Sequence, residues 1–598
     1  MLHARPPEAP LRAFWHLTLL WLRAEDRVGS RLLLLCLSAL TIAQVLLQVR
    51  LNVWSRDFFN ALEQRDSTAF ATQILLFLGL AAVSMAVAVY QLYVKNRIQL
   101  RWRGWLTHHL LGAWLRDGRA YQLEMVGGAA DNPDQRIAED VRIATDLAVE
   151  FAAGLLNSLL LLSCFIGILW TLSGALQFAM HGHDFVLPGY MVWAALGYAA
   201  LGYAALGSLL TGWVGRSMVR LNIRRTTAEA DFRFGLTRAR ESGEGIALIR
   251  GEADERRGLS LLFGDVAGSV LALMRSQRNL MWLTSAYGTL ALIFPTIVAS
   301  PAYFAGMLTL GGLMQIGAAF GQVQGALNWF VQNFGGIAEW RGAITRIITL
   351  RDVIEELDDL LADPEQPTIN IVEAAGGEGA EPCLAFRNLE VAFANGTAVI
   401  ADASAEIAAG ERVLLEGASG TGKSTLFRAI AGLWPWGAGE IFTPPRASMM
   451  FLPQRPYLPR GALMAVLAYP GEVGRFTRDE CATALMRVGL AGMTDQLDRV
   501  ERWDRVLNLG EQQRAAIARL LLHAPGWIFM DEATTGLDEA AQDDLMRLVI
   551  EALPASALIS IGHRSGLAAF HNRTITLRRA EGGARLAPSR RARRPIAA

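Results

Sequence analysis

The sequence predicts a multidomain protein: an α-helical membrane domain of six spans, followed by an α/β domain built on a phosphate-binding loop (P-loop). Three observations carry that prediction. Of 598 residues, 52% are hydrophobic and only 19% charged, less charge than a soluble chain of this length normally carries. Six stretches in the first 333 residues are long and apolar enough to cross a hydrocarbon core, which takes about 20 helical residues. From residue 383 the apolar runs shorten to strand length with helical stretches between them, and one run leads into a glycine-rich loop.

The first 30 residues, with Phe14, Trp15, Trp21 and leucines set among arginines, read as an elbow helix lying in the membrane interface. An amphipathic helix packed on protein is the alternative. No short apolar core with a small-residue cleavage site precedes it, so no removable signal peptide is expected. Spans are expected near 31–52, 70–93, 147–173, 187–213, 279–300 and 303–333, with a turn at Ser300-Pro301, giving a transmembrane domain over 31–361. The loops 94–146 and 214–278 are long and rich in arginine, and the positive-inside bias puts both in the cytoplasm. An even number of spans brings both termini to that same side. Residues 362–382, rich in Pro, Gly and Glu, read as a linker. The α/β domain then covers 383–577, and 578–598 reads as a basic disordered tail.

Composition excludes several classes. Fifty-six basic residues balance 56 acidic ones, so no global field points to a nucleic-acid partner. Cys36, Cys164, Cys383 and Cys481 are scattered without metal or disulfide spacing. His181, His183 and Asp184 share a short outer loop, a set more often solvated than metal-binding.

The chemistry concentrates in Gly417-Ala418-Ser419-Gly420-Thr421-Gly422-Lys423-Ser424-Thr425. An apolar strand-like run precedes it and a helix-like run follows, which is the setting a phosphate loop needs. Its backbone N–H groups and the helix N-terminus suit a β-phosphate, Lys423 the β/γ-phosphates, and the Ser424 hydroxyl Mg²⁺. ATP and Mg²⁺ are therefore the expected ligands. Downstream, Trp527 to Glu532 is an apolar strand ending in two carboxylates. Asp531 is the candidate for the Mg²⁺ shell and Glu532 the candidate base for the attacking water.

At Leu507-Asn508-Leu509-Gly510-Glu511-Gln512-Gln513-Arg514 the chain resembles the signature of ATP-binding cassette (ABC) transporters. The resemblance implies an exporter-type ABC fold with one cassette over 383–577, acting as an ATP hydrolase coupled to transport. It further implies that Phe393 stacks on adenine, that Gln454 links Mg²⁺ to the membrane domain, that Asp538 lies in the loop after Glu532, and that His563 contacts the γ-phosphate. Asn508, Leu509, Gly510 and Glu511 would cover the nucleotide of a second copy. One cassette and six spans per chain then imply a half-transporter working as a homodimer. Two positions depart from the family pattern: Asn508 replaces the usual serine, and Gly536 is the small residue before Leu537-Asp538. Asparagine keeps a donor but changes the geometry, so slow turnover is expected rather than loss of activity.

Leu51 to Leu62, Asp131 to Ile137, Glu229 to Arg233 and Gly312 to Gln315 resemble one branch of that family. It holds the bacterial SbmA/BacA-like uptake transporters of peptide antibiotics, bleomycin-type glycopeptides and cobalamin, and the peroxisomal fatty-acyl-CoA transporters. The branch implies uptake of a hydrophilic or amphipathic peptide, or of cobalamin, across the lipid of a bacterial inner membrane. A lipid or fatty-acyl transporter is one alternative. A slow-turnover nucleotide-gated channel or sensor, suggested by Asn508, is another. Gln44, Gln48 and Asn52 recur every fourth residue on the first span, and Gln315, Gln322 and Asn333 share a face of the sixth, with Gln324 and Asn328 on another. Polar residues in spans usually face a bundle interior or a water-filled path. Gln44, Gln48, Asn52, Gln315, Gln322 and Asn328 are thus candidates for a cargo path, with helix–helix hydrogen bonding the alternative. Glu229 is expected in a helix that touches the cassette.

Overall fold

The computed structural model describes residues 10–23, 27–126, 132–172, 176–180, 183–187, 220–222, 224–362, 367–373, 383–562 and 565–591. Over these, two compact units separate: Pro6–Leu111 with Asn132–Leu350, and Gly112–Asp131 with Arg351–Ala598.

The first unit is helical. Helix α1 (Pro10–Arg23) buries Ala13, Phe14, Leu17 and Trp21, a stripe at three- and four-residue spacing. Phe14 and Trp21 lie 5.5 and 5.1 Å from the Trp102 ring, and Phe14 lies 5.9 Å from Trp340. Trp15 on the opposite face is 63% exposed. The elbow therefore packs on protein along one side and keeps an aromatic outward on the other.

Helices α2 (Arg27–Glu63) and α3 (Ser67–Leu115) run antiparallel, tied by Gln91 Nε2 donating to Thr41 Oγ1 (3.0 Å) and Trp54 Nε1 donating to the Gln73 carbonyl (2.8 Å). Helix α4 (Arg119–Val126) belongs to the second unit. The Asn132-Pro133-Asp134-Gln135 stretch forms a single turn, α5 (Pro133–Gln135), then a π-helical turn over Arg136–Asp140 that leads into α6 (Val141–Leu172). That turn buries Asp140, which Arg346 grips with two bonds of 2.8 and 2.6 Å. Strands β1 (Leu176–Met180) and β2 (His183–Leu187) pair as a hairpin with His183 opposite Met180. The predicted fourth span beyond Leu187, and His181, lie outside the described residues.

Helices α7 (residues 224–241), α8 (Gly243–Leu248) and α9 (Glu252–Phe304) follow, then α10 (Leu310–Leu327) and α11 (Trp329–Ala362). Glu229 on α7 pairs with Arg225 at 3.1 Å. Among the described residues, four helices are long and apolar enough to span a membrane: Val28–Glu63, Ser67–Met125, Pro133–Thr171 and Glu252–Asn279. The turn expected at Ser300-Pro301 lies elsewhere. Helix α9 continues through Pro301 to Phe304, and the chain reverses over 305–309, where Gly306 takes φ 73° and Thr309 caps α10 by accepting from Gly312 N. Proline removes one donor near a helix end, whereas glycine reaches the left-handed turn that ends it.

The second unit is the α/β domain. A six-stranded sheet has the order β14-β13-β6-β12-β11-β8, and a four-stranded sheet the order β3-β7-β4-β5. The strands are β3 (Asn370–Glu373), β4 (Leu384–Ala392), β5 (Ala398–Ile407), β6 (Arg412–Gly417), β7 (Gly437–Thr443), β8 (Met449–Leu452), the short pair β9 (Gly461–Ala462) and β10 (Val500–Glu501), β11 (Trp527–Asp531), β12 (Ala557–Ile561), β13 (Arg573–Arg578) and β14 (Arg585–Arg591). Helices α12 (Lys423–Ile430), α13 (Leu463–Ala468), α14 (Arg478–Arg487), α15 (Trp503–Val506), α16 (Leu509–His523) and α17 (Glu539–Ala552) complete it.

Three boundaries differ from the sequence reading. Within the expected linker, β3 pairs in parallel with β7 and Ile369 is buried beside it; the alternating run Thr368-Ile369-Asn370-Ile371 was masked by its Pro and Gly flanks. Within the expected basic tail, β14 pairs antiparallel with β13, and Leu586 packs against the core beside the exposed Arg585. Finally, Gly112–Asp131, expected in the transmembrane domain, groups with the cassette. Asp358 near the end of α11 accepts from Arg116 and Arg119 at 2.5 Å each, Arg119 Nη1 donates to Gln122 Oε1 (2.6 Å), and Gln122 Nε2 donates to the Gly432 carbonyl (3.4 Å) just past α12. The Arg428 guanidinium of α12 lies over the Tyr121 ring at 5.9 Å.

Candidate nucleotide site

Parallel pairing brings the carboxyl ends of four strands to one edge, with Leu415 of β6 beside Ile561 of β12, Ile561 beside Asp531 of β11, and Met530 beside Leu452 of β8. Such an edge is where open α/β sheets bind ligands. Strand β6 forms because Val413, Leu414 and Leu415 are buried on both faces. The loop after it closes tightly, with Thr421 donating from both N and Oγ1 to the Ala418 carbonyl (3.3 and 2.9 Å). Any other residue at Gly422 would be strained, since its φ is 89° and a Cβ there would lie 2.6 Å from the Val399 side chain.

Helix α12 then starts with Lys423, whose Nζ donates to the Gly417 and Ala418 carbonyls at 2.7 and 3.0 Å and so spans the loop. Burial lowers the Lys423 pKa, opposed by the Glu532 and Asp531 carboxylates. Ser424 Oγ donates to Asp531 Oδ1 at 3.2 Å. A hydroxyl and a carboxylate in contact at a helix N-terminus are hard oxygen ligands of the type Mg²⁺ takes, so these residues fit that ion.

Glu532 is the unusual residue of the site. It has φ 50°, its N–H donates to the Ile561 carbonyl (3.0 Å), and its own carbonyl accepts from Thr535 N and Oγ1 (3.2 and 3.1 Å). A non-glycine residue in that region costs about 1–2 kcal/mol, a strain that gathers at functional positions. Asp538, six residues on, caps α17 by accepting from Ala541 N at 2.7 Å.

Sequence reasoning missed Gln513. This buried amide on α16 donates from Nε2 to the Gln454 carbonyl and accepts at Oε1 from Gly536 N, both at 2.9 Å. It therefore ties the exposed Gln454 at the end of β8, the signature helix and the loop after Glu532 into one piece. The only signal was its position inside the signature stretch. Asn508 caps α16 in a reciprocal box: Oδ1 accepts from Glu511 N and its own N–H donates to Glu511 Oε2, both at 2.9 Å. With its oxygen engaged by the helix, the amide nitrogen of the exposed Asn508 is left to donate elsewhere. Leu509 and Gly510 begin that helix.

Phe393 is not a core residue: it is 48% exposed, with its ring edge-on to the buried Trp434 at 5.7 Å, at the head of the β4–β5 hairpin. His563 lies outside the described residues. Nearby His571 is buried. Its Nδ1–H donates to the Leu567 carbonyl (2.7 Å), so Nε2 accepts from Ser560 Oγ (2.9 Å), and burial pushes its pKa down to about 4.

In the helical unit, Asn52 and Gln315 meet: Asn52 Nδ2 donates to the Gln315 carbonyl at 3.2 Å. Asn60 Oδ1 and Glu63 Oε2 accept from Gly311 N (3.1 Å) and Leu310 N (3.0 Å) along the same α2–α10 seam. Gln44 Nε2 reaches Ser84 Oγ at 3.5 Å. The amide oxygens of Gln44, Gln48, Asn52 and Gln315 are buried without a hydrogen-bond partner among the described residues. Gln322, on the same face as Gln315 by spacing, is exposed, Asn328 is half-buried at the end of α10, and Asn333 donates to the Trp329 carbonyl (2.8 Å).

Residues 21–304 match the family described as ABC transporter transmembrane region 2, and 400–535 match the ABC transporter family. The chain is 31% identical to the inner membrane ABC transporter ATP-binding protein YddA of Escherichia coli K12, over 92% of this chain and 94% of that one. It is 25% identical to the lysosomal cobalamin transporter ABCD4 of Homo sapiens, over 92% and 91%. Among solved structures, a bacterial Atm1-family ABC exporter with ATP bound superposes with a TM-score of 0.71 at 19% identity, covering 95% of each chain, a likeness of fold.

Proposed function

Because this chain belongs to the ABC transporters, as a half-transporter with an exporter-type helical domain and one ATP-binding cassette, we propose that it works as a homodimer taking up a hydrophilic or amphipathic peptide, or cobalamin, across a bacterial inner membrane. ATP hydrolysis in the cassette drives the transport. The convergence of Lys423, Ser424, Asp531 and Glu532 at one strand edge carries the energetic half of this reading. The loop from Gly417 to Thr425 cradles the phosphates, Lys423 offsets their charge, and the strained backbone at Glu532 aims its carboxylate to accept the proton of the attacking water. Ser424, Asp531 and Gln454 would hold Mg²⁺, which when bound neutralises phosphate charge. Asn508, Leu509, Gly510 and Glu511 of a second copy complete the enclosure, with the Asn508 amide nitrogen as donor and His563 beside the γ-phosphate.

The cargo half rests on chemistry in the helical unit. Gln44, Gln48, Asn52 and Gln315 offer buried acceptor oxygens, which suit a cargo rich in N–H donors, as peptides and corrinoid amides are. The human relative's name, a lysosomal cobalamin transporter, supports the same class. The test is transport into liposomes holding ATP and Mg²⁺, following labelled cobalamin and a labelled proline-rich peptide, with Glu532→Gln as control. Accumulation of either cargo by the native protein alone supports the reading. An ATPase stimulated by fatty acyl-CoA without accumulation of either cargo replaces it with lipid transport.

A further inference from the structure

Strand β13 runs parallel to β6 with Leu577 beside Gly417, so the chain leaving β13 passes the phosphate loop. Arg579 is the first residue past that strand. Its Nη2 lies 3.2 Å from where a Cβ on Gly420 would stand, which sets the guanidinium against the turn of the loop. The side chain is exposed, and it has no carboxylate or hydrogen-bond partner among the described residues. Other cations of this unit are engaged, Arg119 with Asp358, Arg573 with Glu411, and Lys423 with two loop carbonyls.

We propose that Arg579 is an additional phosphate contact of this cassette, reaching the polyphosphate of a bound nucleotide from the outer side of the loop. This rests on the reading of the loop as the ATP site. The chemistry favours it on two grounds. A guanidinium offers paired donors that match phosphate oxygens and stays charged at every working pH. Lys423, already holding two carbonyls in a partly desolvated position, supplies a single ammonium. Chain geometry adds that residues 580–584 return to pair with β5, with Ala584 N donating to the Val399 carbonyl (2.8 Å), so the backbone after Arg579 is held against the same strand that abuts Gly422. The contact sits on the ground-state nucleotide, so it governs affinity rather than the chemical step.

The experiment measures binding of ATP, ADP and adenosine to the purified full-length protein by fluorescence competition, for the native chain, Arg579→Gln, Arg579→Lys and Arg578→Gln. The expected result is ATP and ADP affinity on the order of tenfold weaker in Arg579→Gln, an intermediate loss in Arg579→Lys, and unchanged adenosine binding. The gap should shrink as salt rises, KM for ATP should rise with kcat within about twofold, and the thermal midpoint without nucleotide should stay fixed. Native-like ATP affinity in Arg579→Gln overturns the proposal, as does an equal loss in Arg578→Gln, which changes the same charge on the adjoining residue. A native protein that binds no ATP overturns the site reading itself, a distinct result.

Discussion

The cassette and the helical unit treat buried polar groups in opposite ways. In the cassette the buried groups around the site are closed into pairs: Gln513 holds Gln454 and Gly536, His571 holds Leu567 and Ser560, and Lys423 holds two loop carbonyls. In the helical unit a row of amide oxygens, on Gln44, Gln48, Asn52 and Gln315, is buried without partners among the described residues. Phosphoryl chemistry needs fixed donors and acceptors before the substrate arrives, so its groups are held. Under the proposed function, a path for cargo needs groups whose partners are supplied by what passes, which is what open acceptors would provide. The comparison predicts that substitutions in the cassette act through lost geometry, and those in the helical unit through lost cargo.

The largest effect is expected at Glu532. Glu532→Gln keeps the left-handed backbone and the bonds to Ile561 and Thr535 but removes the proposed base. Steady-state ATPase should fall by about 10²–10⁴-fold with ATP binding retained. A fall below tenfold would mean that the strain at Glu532 serves the fold and that another group takes the proton.

Next is the pH response of His571. Its ring is buried neutral with a pKa pushed down to about 4 from 6.5. The unfolded chain binds that proton below 6.5 and the folded chain does not, so stability is intact above pH 6.5 and is lost as pH falls towards 4. The loss is about 3 kcal/mol at most. His571→Gln should flatten that part of the thermal-midpoint profile; an unchanged slope would assign it to other groups.

A smaller effect is expected where residues 116–126 meet the rest of the cassette unit. Asp358→Ala leaves the nearly buried Arg119 without its carboxylate, which costs about 1–2 kcal/mol for a partly exposed pair. Hydrogen exchange should quicken over residues 116–126, and transport per ATP hydrolysed should fall. Exchanging the charges, Asp358→Arg with Arg119→Asp, should recover part of the loss. No change in exchange would show that Tyr121, Gln122 and the packing on Gly432 hold the loop alone.

How far the molecule could be read beforehand follows the same division. The loop from Gly417 to Thr425 and the strand ending in Asp531-Glu532 were legible because phosphate chemistry demands those residue types at those spacings. Strand β3 was not, because a strand added at a sheet edge needs only short alternation, and Pro and Gly on either side mask it. The β14 strand was hidden because its arginines suit a sheet edge as well as a solvated tail. Gln513 could not be found since its importance lies in whom it meets across 23 and 59 residues of chain. In the helical unit the spacing of Gln44, Gln48 and Asn52 marked a polar stripe correctly, but periodicity alone grouped Gln322 with Gln315. Asn52 of α2 meets Gln315, which is buried, whereas Gln322 two turns on is exposed.

The smallest effect on stability, and the sharpest test of the contrast, comes from making one kind of change in both units. Asn52→Leu removes an interhelical bond contributing about 0.6 kcal/mol but also an acceptor whose unmet burial costs about 1–3 kcal/mol. The two terms oppose each other, so the thermal midpoint in detergent should stay level or rise slightly while accumulation of labelled cargo falls. Gln513→Leu removes the two bonds by which one buried amide ties the Gln454 carbonyl to the Gly536 N–H, so its midpoint should drop and ATPase should drop with it. If Asn52→Leu destabilises as Gln513→Leu does, the amide row is a set of helix–helix ties. If it leaves stability untouched and abolishes cargo entry, those oxygens are held open for the N–H groups of what is carried, and the two halves of the protein use the same amide chemistry for opposite ends.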